Sequence, residues 1–150
     1  MSEAAPNASR ERDLASTHFR LGWIGVLVFL SLGLVLEALH GFKVGLYLDV
    51  DQETRRLMWR LAHAHGTLLS VLHLGFAAPV AHLPQLAAPL CTLASRCLSG
   101  ALILMPAGFL LGGVWIHGGD PGLGVLLVPP GGLLLLVGVF AIVRAIGRRA

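Results

Sequence analysis

Charge is the first thing this chain lacks. Asp, Glu, Lys and Arg make up 13% of its 150 residues, against 55% hydrophobic residues and a mean hydropathy of +0.77. A soluble domain carries about 25% charged residues, so the polar surface needed to sit in water is missing. Reactive sulfur is scarce as well. The only cysteines, Cys91 and Cys97, have five residues between them, which excludes a C-x-x-C zinc or redox pair and leaves them as ordinary small residues. There is no G-x-S-x-G elbow, no H-E-x-x-H and no phosphate-binding glycine loop, so serine hydrolase, zincin and nucleotide-binding readings have no support.

What the chain has instead is long apolar runs. Leu21–Leu39, Leu57–Val80, Leu98–His117 and Leu123–Val143 each approach the length of about 20 residues that crosses a bilayer as a helix. The predicted fold is all-α, a polytopic membrane protein built as a four-transmembrane-helix bundle with a Pro/Gly-broken fourth span. Residues 1–20 read as a polar cytoplasmic tail, mobile over Met1–His18; 21–146 form one membrane domain, and 147–150 a basic C-terminus. The first run is too long, and too far from the start, for a signal-peptide core, and Glu37 sits where small residues would precede cleavage.

Orientation follows the Lys/Arg bias. Arg10, Arg12, Arg20, Arg96, Arg144, Arg148 and Arg149 lie with the termini and the second connection, against Lys43, Arg55, Arg56 and Arg60 on the first. Seven against four places both termini in the cytoplasm and the chain in the cytoplasmic (inner) membrane. That asymmetry accounts for the net charge of +3 and calls for no nucleic-acid partner. The partner is the lipid bilayer, with a homo-oligomer or a larger membrane complex left open.

Local signals refine the spans. Asp49, three residues before Gln52, resembles a capping box for a second helix over Gln52–Ala78, with Asp51 as the alternative cap. Pro79, Pro84 and Pro89 are expected to break the connection that follows. Val128-Pro129-Pro130-Gly131-Gly132 implies either a sharp kink or a re-entrant Gly118–Val128 with the true helix starting at Pro130. Gly108-x-x-x-Gly112 is a small-residue face for close helix approach.

Ionisable side chains inside apolar spans are costly and mark functional sites by default. The topology gathers Glu37, His40, Arg60, His63, His65 and His117, with Asp120 beyond, at one end of the bundle, outside the cell in this orientation. Glu37-x-x-His40 puts two side chains about 60° apart on one helix face, the spacing of di-iron carboxylate helices. One copy is too few ligands for that centre, and a rim ion pair of Glu37 with Arg60 is the simpler reading. His63 and His65 are about 200° apart and point to opposite faces. Trp59, Ala62, Gly66, Ser70, His73 and Ala77 form the natural packing stripe, with His63 at its edge and His65 off it, towards headgroups or a partner subunit. His73 lies about 15 Å deeper than His63. It is read as a hydrogen-bonded structural residue, since haem ligation needs a second histidine at that depth and none is evident. His117, beside Trp115, suits an interfacial aromatic belt; His18 and His82 are assigned nothing.

Glu53–Gly66, ETRRLMWRLAHAHG, resembles a motif of the hydroxylaminobenzene mutase family, small four-span membrane proteins with A-H-x-x-G opening the second span. Ala62, His63 and Gly66 match it, and Trp115-Ile-His-Gly-Gly119 before a Pro/Gly-rich stretch is similar in kind. The resemblance covers most of residues 21–145, while Glu37-x-x-His40 and His65 have no place in its pattern. It implies a cofactor-free intramolecular hydroxyl shift on an N-hydroxylated aromatic. An apolar cavity would hold the ring, and His63 with Glu37 or Arg60 would move the protons. Three functions therefore compete: a small membrane isomerase using His63, Glu37 and Arg60; a metal- or haem-binding protein using His40, His63 and His117; and a non-catalytic accessory subunit whose polar residues stitch helices together.

Overall fold

Small side chains at every third or fourth position decide how these helices meet. In the computed structural model, which describes residues 4–82 and 88–147, the order is α1 (Ala4–Gly41), α2 (Gly45–Leu48), a 3-10 turn (Val50–Gln52), α3 (Glu53–His82), α4 (Ala88–Val114), a second 3-10 turn (Leu123–Leu127) and α5 (Val128–Gly147). Four helical stretches are long and apolar enough to cross a membrane, the architecture of a small multi-pass membrane protein. The four long helices pack in the order α1–α3–α4–α5, with α3 and α4 in the middle and α1 and α5 on the flanks.

The α1–α3 contact is close because glycine allows it. A Cβ on Gly25 would come within 3.0 Å of Ser70 Cβ, and one on Gly66 would run into the Phe29 ring. The expected stripe is the packing face: Ala62, Gly66, Ser70, His73 and Ala77 are all buried. Where the helices converge near the N-terminus, Ala15, Phe76, Val80, Cys91, Ala94, Leu98, Ala141 and Ala145 form one core. Both cysteines are buried and neither forms a disulfide.

Several expectations need correcting. The expected mobile tail is helix: α1 starts at Ala4 and passes residue 20 without a break. Its polar stretch has one inward face, carrying Ala15 and His18, and that face continues the helix. Asp49 makes no side-chain cap, because a 3-10 turn intervenes before α3 begins at Glu53. Pro79 lies inside α3 near its end, and Pro89 in the first turn of α4, where the missing N–H costs nothing. Pro84 and residues 148–150 fall outside the described residues.

The tandem prolines do not kink α5. Pro129 and Pro130 occupy its first turn, where orphan amides are spared, and the preceding segment is a 3-10 turn laid on α4. The Gly108/Gly112 face receives that turn: a Cβ on Gly108 would lie 3.1 Å from Val128 N, and one on Gly124 2.7 Å from Gly112 N.

Candidate functional site

The end of the bundle that carries α2 is built by arginines. Arg55 donates from Nε to the Gly113 carbonyl at 2.9 Å and from its two terminal nitrogens to Leu46 in α2 and Val114, so that the Gly113 and Val114 carbonyls, left open where α4 stops, are satisfied. Arg56 donates to the Tyr47, Leu48 and Asp49 carbonyls at 3.0–3.4 Å and so holds the first connection down over the helix ends. Tyr47 is 3% exposed and stacks on Trp59 with centroids 6.3 Å apart. Burial pushes the Tyr47 phenol up from its ordinary pKa, against the opposing pull of Arg60 and Arg56, so it stays a neutral hydroxyl.

Beneath this cover, between α1 and α3, lies an open cavity of about 870 Å3. Its lining includes Glu37 and His40 from α1, Tyr47 from α2, and Arg60 and His63 from α3. Leu30, Leu34, Leu57, Leu61 and Ala64 supply the apolar wall. Four of the residues singled out in the sequence therefore share one space.

His63 is the fixed point. Its Nδ1 lies 2.7 Å from the Phe29 carbonyl, which has no proton to give, so Nδ1 carries the hydrogen and donates. The tautomer leaves Nε2 with a free lone pair. Gly33 makes this possible, since a Cβ there would sit 2.7 Å from Nδ1 and 3.0 Å from Nε2. The two charges behave differently. Glu37 and Arg60 are both exposed, and their side chains make no hydrogen bond or ion pair with each other or with any other described residue. The expected Glu37–Arg60 ion pair is absent.

The remaining candidates lie elsewhere. His117 is exposed in the turn after α4, where its backbone exchanges hydrogen bonds with Asp120 at 3.1 and 3.0 Å. It does not line the cavity, so His40, His63 and His117 are not assembled into a ligand set. Among the described residues no three His, Cys, Asp or Glu side chains are grouped to hold a metal ion. His65 turns inward, with Nδ1 donating to Leu61 at 2.9 Å and its ring 4.8 Å from Phe109, rather than out to headgroups or a partner.

The largest omission in the sequence reading is His18. It is wholly buried at the other end of the bundle, with Nδ1 2.8 Å from His73 Nδ1 and Nε2 2.8 Å from Ser95 Oγ. His73 does have a second histidine at its depth, but the rings stack at 4.6 Å in direct contact, with no gap for a haem between them. A signal was present: Ala15, His18, Gly22, Gly25, Phe29 and Gly33 recur at three- and four-residue steps, one continuous helix face.

No protein-family model, curated protein or solved structure matches this chain.

Proposed function

We propose that this chain is a small membrane isomerase that moves the hydroxyl of an N-hydroxylated aromatic from nitrogen to a ring carbon, without a cofactor. The single observation that carries the reading is the cavity in which an oriented, proton-accepting histidine stands beside two opposite charges that do not neutralise each other. Breaking the N–O bond heterolytically separates charge: oxygen leaves with the electron pair and the arylamine is left cationic. Arg60 meets the hydroxide-like oxygen and Glu37 the cation, the arrangement in which fixed charges favour a transition state over its neutral ground state. The oxygen bonds to the ring carbon, and His63 Nε2 takes the proton that carbon loses and returns it to nitrogen. Atoms and electrons balance, and no oxidant or reductant enters. The leucine wall holds the ring, and the resemblance of Ala62-His63-x-x-Gly66 to the mutase motif supplies the substrate class.

The test is turnover of hydroxylaminobenzene by protein purified in detergent, with the aminophenol isomers separated by chromatography. Product above the buffer rate with the unaltered protein, and its loss in His63→Ala, is expected. Equal conversion with and without protein overturns the reading.

The second reading, a non-catalytic subunit, draws on the His63–Phe29 bond, which does stitch α1 to α3. It leaves the unpaired Glu37 and Arg60 without a purpose. In either case both termini face the cytoplasm, with the cavity on the opposite side of the cytoplasmic membrane. Reporter fusions at Gly147 and Tyr47 check this, and an external C-terminus would overturn it.

A further inference from the structure

The cavity is larger than its proposed substrate requires. About 870 Å3 lies near the top of the ~300–1,000 Å3 range that holds a drug-sized ligand, far beyond one substituted benzene ring. Its lining is also graded along the helix axes. On α1, Leu30 and Leu34 lie one to two turns deeper than Glu37, and His40 lies one turn nearer the helix end; on α3, Leu61 and Ala64 lie deeper than Arg60. Charged groups thus sit close to the helix ends, at headgroup depth, over an apolar wall leading towards the bilayer centre. The flank helix α1 packs chiefly on α3, so the groove between them borders lipid.

We infer that this cavity binds a bilayer phospholipid whose headgroup carries both a phosphate and a primary ammonium, with the phosphate on Arg60, the ammonium on Glu37 and an acyl chain along the leucines. Charge complementarity decides the class. A carboxylate and a guanidinium that share a cavity without pairing match a ligand carrying both signs. An anionic headgroup would meet Glu37 with repulsion. A quaternary ammonium satisfies the charge of Glu37 but has no N–H to donate to it, whereas a primary ammonium donates up to three hydrogen bonds. Arg56 is not free for the task, because it is committed to the Tyr47, Leu48 and Asp49 carbonyls. The proposal rests on the reading of this cavity as a ligand site but not on the isomerisation. In the isomerase the same lipid competes with the substrate.

The experiment is native mass spectrometry of the full chain, delipidated in detergent and exposed to equimolar phosphatidylethanolamine, phosphatidylcholine and phosphatidylglycerol. Several-fold greater retention of phosphatidylethanolamine is expected. Glu37→Gln should bring that retention down to the phosphatidylcholine level, and Arg60→Gln should lower all three. Arg144→Gln, at the opposite end, serves as the control and should change nothing. Equal retention of the three lipids, or full selectivity in Glu37→Gln, overturns the proposal. Added phosphatidylethanolamine should also raise the apparent KM for hydroxylaminobenzene, and phosphatidylcholine should not. Selective retention without any turnover would overturn the isomerase reading alone, and turnover without selectivity would overturn the lipid alone.

Discussion

The two ends of the bundle treat histidine in opposite ways. Near the N-terminus, His18 and His73 are both 0% exposed and bonded to each other, and His18 is bonded on to Ser95, joining α1, α3 and α4. Of the ring nitrogens of this pair, His73 Nε2 is the one buried without a hydrogen-bond partner among the described residues. At the α2 end, His63 commits one nitrogen to the Phe29 carbonyl and keeps the other free, while Glu37 and Arg60 commit nothing. A buried polar group left unpaired costs about 1–3 kcal/mol, so the first arrangement holds the helices together. The second holds one nitrogen in place and leaves the charges beside it open, as a site that must still meet a ligand does. Histidine in a membrane helix is therefore not a functional mark by itself; what separates the two roles is whether the ring is sealed in the core, as His18 and His73 are, or lines an open cavity, as His63 does.

The sharpest way to break this contrast is His63→Ala. A positioned proton-transfer group contributes about 10²–10⁴ in rate, so turnover of hydroxylaminobenzene should fall by that factor. Stability should fall by only about 1 kcal/mol, because the Phe29 carbonyl keeps its bond within α1. Unfolding followed by circular dichroism in detergent supplies the second number. A loss of stability large enough to account for the lost turnover would make His63 one more stitch.

His73→Ala should do the reverse. It opens a cavity in the tail-end core and strands His18 Nδ1, at a cost of about 1–3 kcal/mol, while the rate per folded molecule stays unchanged. His18→Ala and the double variant complete a cycle whose coupling should reach at least 0.5 kcal/mol for groups in contact. Additive effects would mean that the 2.8 Å contact carries no energy.

Gly33→Ala joins the two ends in one test. The new methyl would press on the His63 ring, which must swing away and lose the Phe29 bond, at an overpacking cost of about 1–3 kcal/mol. Turnover should drop with it, whereas the His18–His73 coupling should be unchanged. Full activity in Gly33→Ala would show that His63 acts without its anchor.

The sequence made the spans legible because bilayer thickness sets their length, and it made the α3 stripe legible because close approach needs Ala62, Gly66 and Ser70. The convergence of Glu37 and His63 followed from both, as residues near adjoining ends of consecutive spans. The stretch around His18 misled because Arg12, Asp13 and Arg20 dominate its composition, although the face carrying Ala15 and His18 keeps the same step as the span. The helix-end bonds of Arg55 could not be read at all. Their acceptors Gly113 and Val114 are 58 and 59 residues away, and nothing local distinguishes such an arginine from one counted for topology. Pro79 misled in a different way: α3 runs through it to His82, although its missing N–H leaves the Gly75 carbonyl without its usual helical donor.

Glu37→Gln should have the smallest effect on the fold and is the most telling for the site. The carboxylate is exposed and makes no bond within the described chain, so unfolding should shift by no more than about 0.5 kcal/mol, the range of a surface change that breaks nothing. Had Glu37 paired with Arg60, the same substitution would strand the guanidinium and cost more. Turnover should still fall, because the amide keeps the size of the side chain but cannot oppose a developing positive charge. The loss should appear mainly in kcat, since the substrate is neutral before the N–O bond breaks and Glu37 has little to hold in the ground state. A rise in KM with kcat intact would instead assign Glu37 to binding, and unchanged kinetics would remove it from the site and leave His63 alone.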